Sequence, residues 1–343
     1  MKLSQIIPYL NYHFPSENDL VKAIQEVSVN FTKNREDIND YLRDSRLSSA
    51  YTAFYLTTNM PKLEGVFQWM DPKWLDKLKA SMFFDIGAGP GTFSLAFRNW
   101  VGRPVDIFQI ENSSLMREQA KKIWDGLYPG EILRQSISMG NLSPSEKFML
   151  FGHSANEMGT QEVMKYVEEI NPEHILFVEP GTKDFFFKML EIRKKLISKG
   201  YEILFPCKES TDCPLANQSQ DWCHQFLQVK QDPEIERLSQ MAKKDRRLLP
   251  LTVQAFSLKN KKIFDGVRVV RVFPETKFSF EWEVCEKNII HHYQVMKRGL
   301  SKSNLDLFSS IKSGDLIHVE IEKIMEKQIR VKLKLLNNTT FET

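Results

Sequence analysis

Three of the four cysteines in this 343-residue chain fall in one stretch, FPCKESTDCPLANQSQDWCHQ (205–225), as Cys207, Cys213 and Cys223. Clustered thiols in a cysteine-poor chain suit metal ligation better than a disulfide scaffold. Five residues separate Cys207 from Cys213, and nine separate Cys213 from Cys223. Zinc ribbons and fingers pair their ligands about two to four residues apart, so neither interval fits routine structural zinc. A four-iron cubane takes four thiolates from a wrapped loop. The remaining cysteine, Cys285, closes the apolar run FSFEWEVC, and His224 beside Cys223 is the rival fourth ligand. On these residues alone a [4Fe-4S] cluster and zinc both stay open as the expected metal.

The second group of residues is FFDIGAGPGTFS (83–94). Gly87, Gly89 and Gly91 follow an apolar run and open a helical one, and glycine lets backbone turn tightly and approach a ligand without a Cβ. The spacing is Gly-x-Gly-x-Gly, not the Gly-x-Gly-x-x-Gly of a dinucleotide fingerprint. With Asp85 ahead of it, the motif resembles the first motif of class I S-adenosylmethionine-dependent methyltransferases. That resemblance implies cofactor contacts from Asp85, Gly87, Gly89 and Gly91, and Glu111 at the next strand tip is placed to accept ribose hydroxyls. The fourth strand should carry chemistry at its end, and it reads FGHSANEMG (151–159). It lacks the Asn/Asp-Pro-Pro-aromatic sequence that holds a target amine in the adenine- and cytosine-amine enzymes. Neither it nor HILFVEPGT (174–182) contains a cysteine nucleophile. The catalytic candidates are Asn156, Glu157 and Glu179; His153 is read as a satisfied turn histidine.

These residues need elements to hold them. Residues 17–70 read as helices, the first capped by Ser16 or Asn18 with Leu20, Ile24, Val27 and Phe31 as its apolar stripe. Asp71 and Pro72 start another helix. Strands then alternate with helices: MFFDIGAG, a helix at Thr92–Val101, PVDIFQIE, a helix at Ser114–Leu127, a weak strand at 132–137, FMLFGHS, a helix over 160–170, HILFVEP, a helix over 184–199 and YEILFP. Such alternation predicts an α/β fold with a doubly wound parallel sheet. After Pro250 the chain turns β-rich, and FSFEWEV, DLIHVEIEKI and QIRVKLKLL alternate as half-buried antiparallel strands do. The expected division is an N-terminal helical region (1–78), a methyltransferase-like domain (79–265) with a metal loop (206–247), and a small β-lobe (266–343).

The net charge of +3 conceals an asymmetry. Residues 1–180 carry 18 Lys+Arg and 23 Asp+Glu, or −5; residues 181–343 carry 29 and 21, or +8. Lys243, Lys244, Arg246 and Arg247 open a basic run that continues through Lys259, Lys261, Lys262, Arg268 and Arg271. It is either a solvated face or a phosphate-backbone footprint. No apolar run reaches the ~20 residues that span a bilayer, and the N-terminus shows no signal pattern. The expectation is a cytoplasmic protein, without a membrane partner and monomeric when free.

PCKESTDCPL, DWCHQ, DIGAGPGT and VEPGT together resemble the mitoribosomal small-subunit methyltransferase-like family, with animal and bacterial members. YLRDSRLSSAYTAFYLTTNMPKL, NEM, VMKRGLSK and SGD extend the likeness along nearly the whole chain. The resemblance implies a class I methyltransferase fold, a [4Fe-4S] cluster on Cys207, Cys213, Cys223 and Cys285, and action on small-subunit rRNA. It implies either rRNA methylation or non-catalytic subunit assembly; a small-molecule methyltransferase with structural zinc is the third reading. Lys243, Lys244, Arg246 and Arg247 are the expected rRNA contacts.

Overall fold

A computed structural model describes residues 1–33, 44–135, 146–207, 212–217, 221–259, 266–326 and 328–333. The chain forms two compact units, residues 1–179 with 227–249, and residues 180–226 with 250–343. Lys261 and Lys262, the end of the weak strand expected at 132–137, and the Phe31 side chain lie outside the described residues.

The first unit begins with helices α1 (Glu17–Lys33), α2 (Ser45–Tyr51), α3 (Pro61–Phe67) and α4 (Pro72–Ala80). Ser16, not Asn18, caps α1: its Oγ accepts from Asp19 N at 3.2 Å. Leu20, Ile24 and Val27 are buried, as their spacing requires. Asp71 caps α4, accepting from Lys73 N. Between α2 and α3 the backbone runs as a π-helix over Thr52–Leu56. Thr52, Thr57 and Thr58 turn their hydroxyls back onto carbonyls four residues earlier, a side-chain bond that competes with the regular ladder. Insertions of this kind often mark functional sites.

Four parallel strands follow: β1 (Met82–Ile86), β2 (Ile107–Ile110), β3 (Lys147–Gly152) and β4 (His174–Pro180), in the order β2-β1-β3-β4. Helices α5 (Thr92–Val101), α6 (Ser114–Leu127) and α7 (Thr160–Ile170) connect them. Every residue of β1 and β2 is buried, as expected of parallel strands covered on both faces. Among the described residues, the weak strand is represented by an isolated bridge between Phe108 and Arg134. The unit ends with α9 (Pro233–Met241), a helix inside the segment expected to be metal loop.

The second unit holds α8 (Lys183–Ser198), β5 (Glu202–Phe205), β6 (Gln225–Gln228) at its boundary, and β7 (Leu248–Ser257), which pairs antiparallel with β5. Its other sheet comprises β8 (Val267–Val272), β9 (Ser279–Glu286), β10 (Ile289–Met296), β11 (Leu316–Ile317), β12 (Val319–Ile324) and β13 (Ile329–Leu333). The order is β11-β8-β9-β10-β13-β12. The run FSFEWEV forms β9, whereas its hairpin partner β10 and α10 (Lys302–Ser310) were not legible as elements in the sequence. The lobe is also not wholly antiparallel, because β10 and β13 pair in parallel. Trp282, Val284, Tyr293 and Val331 form its core.

Candidate functional site

In the first unit, β1 delivers its carboxyl end to the glycine loop, which turns through three left-handed residues: Gly87 (φ 66°), Gly89 (φ 53°) and Gly91 (φ 86°). The three differ in surroundings. A Cβ at Gly87 would meet Ser154 Cβ at 2.5 Å, and one at Gly91 would meet Gln109 Nε2 at 2.7 Å. A Cβ at Gly89 would meet nothing within 4 Å. Gly89 therefore faces open space, while its neighbours are packed against protein.

That space is a cavity of about 760 Å³, within the range of small-molecule sites. Gly87, Gly89 and Glu111 line it, with Ser113 and Met116 from the start of α6. Glu111 accepts from Gly89 N at 2.8 Å and from Ser113 N at 2.7 Å, so one carboxylate ties the loop to the next helix. Asp85 and Gly91 act from behind. Asp85 is buried, and its Oδ2 accepts from Ser94 N (2.9 Å) and Ser94 Oγ (2.7 Å). Burial pushes its carboxyl up to about 7, against the pull of the Ser94 bonds.

Of the three catalytic candidates, Glu157 lines the cavity. Glu179 is fully buried and is consumed by the loop after β3: its Oε1 accepts from Ser154 N (3.0 Å) and Ala155 N (2.9 Å), and its Oε2 from Asn156 N (3.3 Å). Glu179 thus positions that loop, and Asn156 enters through its backbone. His153, the first residue of the loop, has φ 61°, a conformation rare outside glycine.

Residues outside the named site candidates also reach the cavity. Tyr51 and Asn59, on either side of the π-helix, line it along with His153. Behind them Lys62 is only 1% exposed, with Nζ 2.6 Å from His153 Nε2. Arg246 Nη2 donates to Asn59 Oδ1 at 2.7 Å. Burial drives the Lys62 and His153 pKa values well down, each further lowered by nearby positive charge. The available signal was a lysine and an asparagine set among the apolar residues of LTTNMPKLEGVF, where a plain core helix has neither.

This changes the basic quartet. Arg246 turns inward to Asn59, and Arg247 is paired with Asp245 at 2.8 Å. Lys243 is exposed and Lys244 half-buried. Farther along the run, in the second unit, Arg268 is buried and Arg271 pairs with Asp221 and Glu283. A linear run of basic residues is therefore not one exposed surface.

In the second unit all four cysteines line a single cavity of about 40 Å³. Cys207 follows β5, Cys223 precedes β6, and Cys285 lies on β9. Phe186, Leu215 and Val270 form the apolar wall, with Trp222 and Ile290 packed on it. Burial raises the Cys213, Cys223 and Cys285 thiols, Cys285 to about 12, and the neighbouring thiols raise them further. Arg193 and Arg268, both buried, line the same cavity. Among the described residues no three His, Cys, Asp or Glu side chains are gathered as a metal-ion site. The four thiols share this cavity with two guanidinium groups, whose charge would offset that of thiolates.

Residues 46–298 match the family described as mitochondrial small ribosomal subunit Rsm22. No curated protein sequence matches the chain. Among solved structures, the chain is similar to magnesium protoporphyrin IX methyltransferase (ChlM) from Synechocystis PCC 6803, at 11% identity and TM-score 0.37, over 68% of this chain and 96% of that one. It is similar to TrmK from M. capricolum at 8% identity and TM-score 0.33, over 57% and 72% of the two chains. A SAM-dependent methyltransferase from Aquifex aeolicus is similar at 17% identity and TM-score 0.29, over 43% and 89%.

Proposed function

This chain belongs to the Rsm22 family, and from that premise we propose that it binds S-adenosylmethionine at the glycine loop and acts on the small ribosomal subunit. The observation that carries the cofactor reading is the cavity itself. It opens at the carboxyl ends of parallel strands, where ligands bind in such sheets. Its glycine loop leaves open space at Gly89 alone, and Glu111 stands at the tip of the next strand. S-adenosylmethionine would supply an electrophilic methyl group. The chain's own part would be to hold the acceptor in line with it and to exclude water.

We further propose that Cys207, Cys213, Cys223 and Cys285 hold a [4Fe-4S] cluster with a structural role. The shared cavity and its two buried arginines support this. Contact with rRNA would fall to basic groups such as the exposed Lys243 and the half-buried Lys244.

A second reading, a non-catalytic assembly factor, is favoured by one observation. The loop after β3 offers no Asn/Asp-Pro-Pro motif, and Glu179 is occupied by backbone amides. A methyltransferase fold can serve as a binding scaffold.

Calorimetry tests the cofactor reading. The wild-type chain should bind S-adenosylmethionine, and Gly89→Arg should abolish binding while remaining folded, because its side chain would fill the space at the loop. Unchanged affinity in the folded variant would move the pocket elsewhere. Methylation of small-subunit rRNA in cells carrying this variant then separates enzyme from scaffold.

A further inference from the structure

One corner of the glycine-loop cavity has its hydrogen-bond polarity set by Lys62 and Arg246. Arginine has no acceptor atom, so the Asn59 atom facing Arg246 Nη2 at 2.7 Å must be the carbonyl oxygen. The amide nitrogen, Nδ2, is then the atom left to face the cavity that Asn59 lines. The same logic applies to His153. Lys62 Nζ lies 2.6 Å from His153 Nε2, and a charged Lys62, which has no acceptor, would donate there. A neutral imidazole accepting at Nε2 carries its proton on Nδ1. With Lys62 as donor, the acceptor atoms of both side chains are taken up, and Asn59 and His153 offer the corner N–H groups.

Charge reinforces this. Lys62 and Arg246 are near enough to repel, and Glu179, the acid that offsets Lys62, already accepts three backbone N–H groups. Arg246 Nε is buried with no hydrogen-bond partner among the described residues. The carboxylates that line the cavity, Glu111, Glu157 and Glu162, are acceptors. The Asn59–His153 corner has the opposite polarity.

Resting on the cofactor reading above, we infer that the substrate group received beside the methyl donor is a hydrogen-bond-accepting oxygen, a base carbonyl or a phosphate oxygen, and not an exocyclic amine. An amine brings N–H groups and needs acceptors. Here it would meet N–H groups backed by positive charge, leaving its own donors unpaired. A uracil edge offers O4 where cytosine offers an amine, so the corner discriminates between two bases that differ little elsewhere. In this arrangement Asn59 and His153 touch the substrate, and Lys62 and Arg246 are positioning residues that act through them.

Two measurements on the full-length chain test this. In ¹⁵N-histidine-labelled protein, with His153→Gln to assign the signal, His153 should be the Nδ1–H tautomer, and Lys62→Met should release that preference. An Nε2–H tautomer in the wild type would overturn the inference. In calorimetry with saturating S-adenosylhomocysteine, uridine monophosphate should bind about tenfold or more tighter than cytidine monophosphate, from one unpaired buried donor. Asn59→Asp keeps the Arg246 partner but turns an acceptor to the cavity, so it should erase or reverse that ratio. Inorganic phosphate competing as well as uridine monophosphate would assign the corner to a phosphate oxygen. Equal or absent binding of both nucleotides without phosphate competition would overturn the inference. Failure of S-adenosylhomocysteine itself to bind would instead sink the cofactor reading, while the tautomer result would stand on its own.

Discussion

Glu179→Gln probes how the loop after β3, beside the glycine-loop cavity, is held. Burial lifts the Glu179 carboxyl from 4.5 to about 8, although three backbone N–H groups pull it the other way. Between those pH values the native chain keeps a proton that the unfolded chain has released. A native pKa raised in an acid makes stability fall as pH rises. The contribution is full below about pH 4.5 and is lost by about pH 8. At about 1.36 kcal/mol per pH unit, the span corresponds to about 5 kcal/mol. Glutamine has the shape of the protonated acid, with an NH₂ where Oε2 would carry the proton beside Asn156 N. The variant and the wild type should therefore differ by only about 1 kcal/mol near pH 5, roughly the scale of one hydrogen bond. As pH rises to about 8.5 the variant should become the more stable by about 3–5 kcal/mol, since it has no proton to lose. Urea unfolding of both proteins at intervals from pH 5 to 9 measures the difference, and taking the difference cancels the other titrating groups. A gap that does not change with pH would refute the reasoning. So would a wild type that gains on the variant with rising pH, which would mean that the backbone N–H groups outweigh burial.

The glycine loop should show a graded response in thermal melts. Gly87→Ala and Gly91→Ala combine a left-handed φ with Cβ approaches of 2.5 and 2.7 Å and should each cost about 1–3 kcal/mol, whereas Gly89→Ala carries only the backbone penalty of about 1–2 kcal/mol; three equal shifts would remove the distinction between packed and open positions. Anaerobically purified protein should contain about four irons per chain with broad absorption near ~410 nm, and Cys285→Ser should lose both; stoichiometric zinc without iron would reject the cluster. In filter binding across a salt series, Lys243, Lys244 and Arg247 changed together to Ala should flatten the log–log slope by about 0.9 for each phosphate that is no longer neutralised. Arg246→Ala should leave the slope unchanged, because its guanidinium is turned to Asn59; a slope that drops with Arg246 would return that residue to the surface.

What sequence determined by itself was whatever depends on local order along the chain. The strand–turn–helix at 82–101 was legible because buried strands read as continuous apolar runs and the left-handed turn requires glycine. Glu111 was legible because a strand tip has a predictable address. The Ser16 and Asp71 caps were legible because capping spans only two or three residues. Tertiary structure decided what depends on which groups meet. Glu179 and Glu157 are the same residue type near strand ends, yet one is buried in backbone amides and the other lines the cavity. Lys243 and Arg246 stand three apart in one basic run, yet one faces water and the other fixes an asparagine 187 residues away. Lys62 and His153, 91 residues apart, meet in a way that no periodicity encodes. Hydrogen-bond polarity, desolvation and charge pairing arise from proximity in space, and proximity between distant segments is fixed only when the core packs.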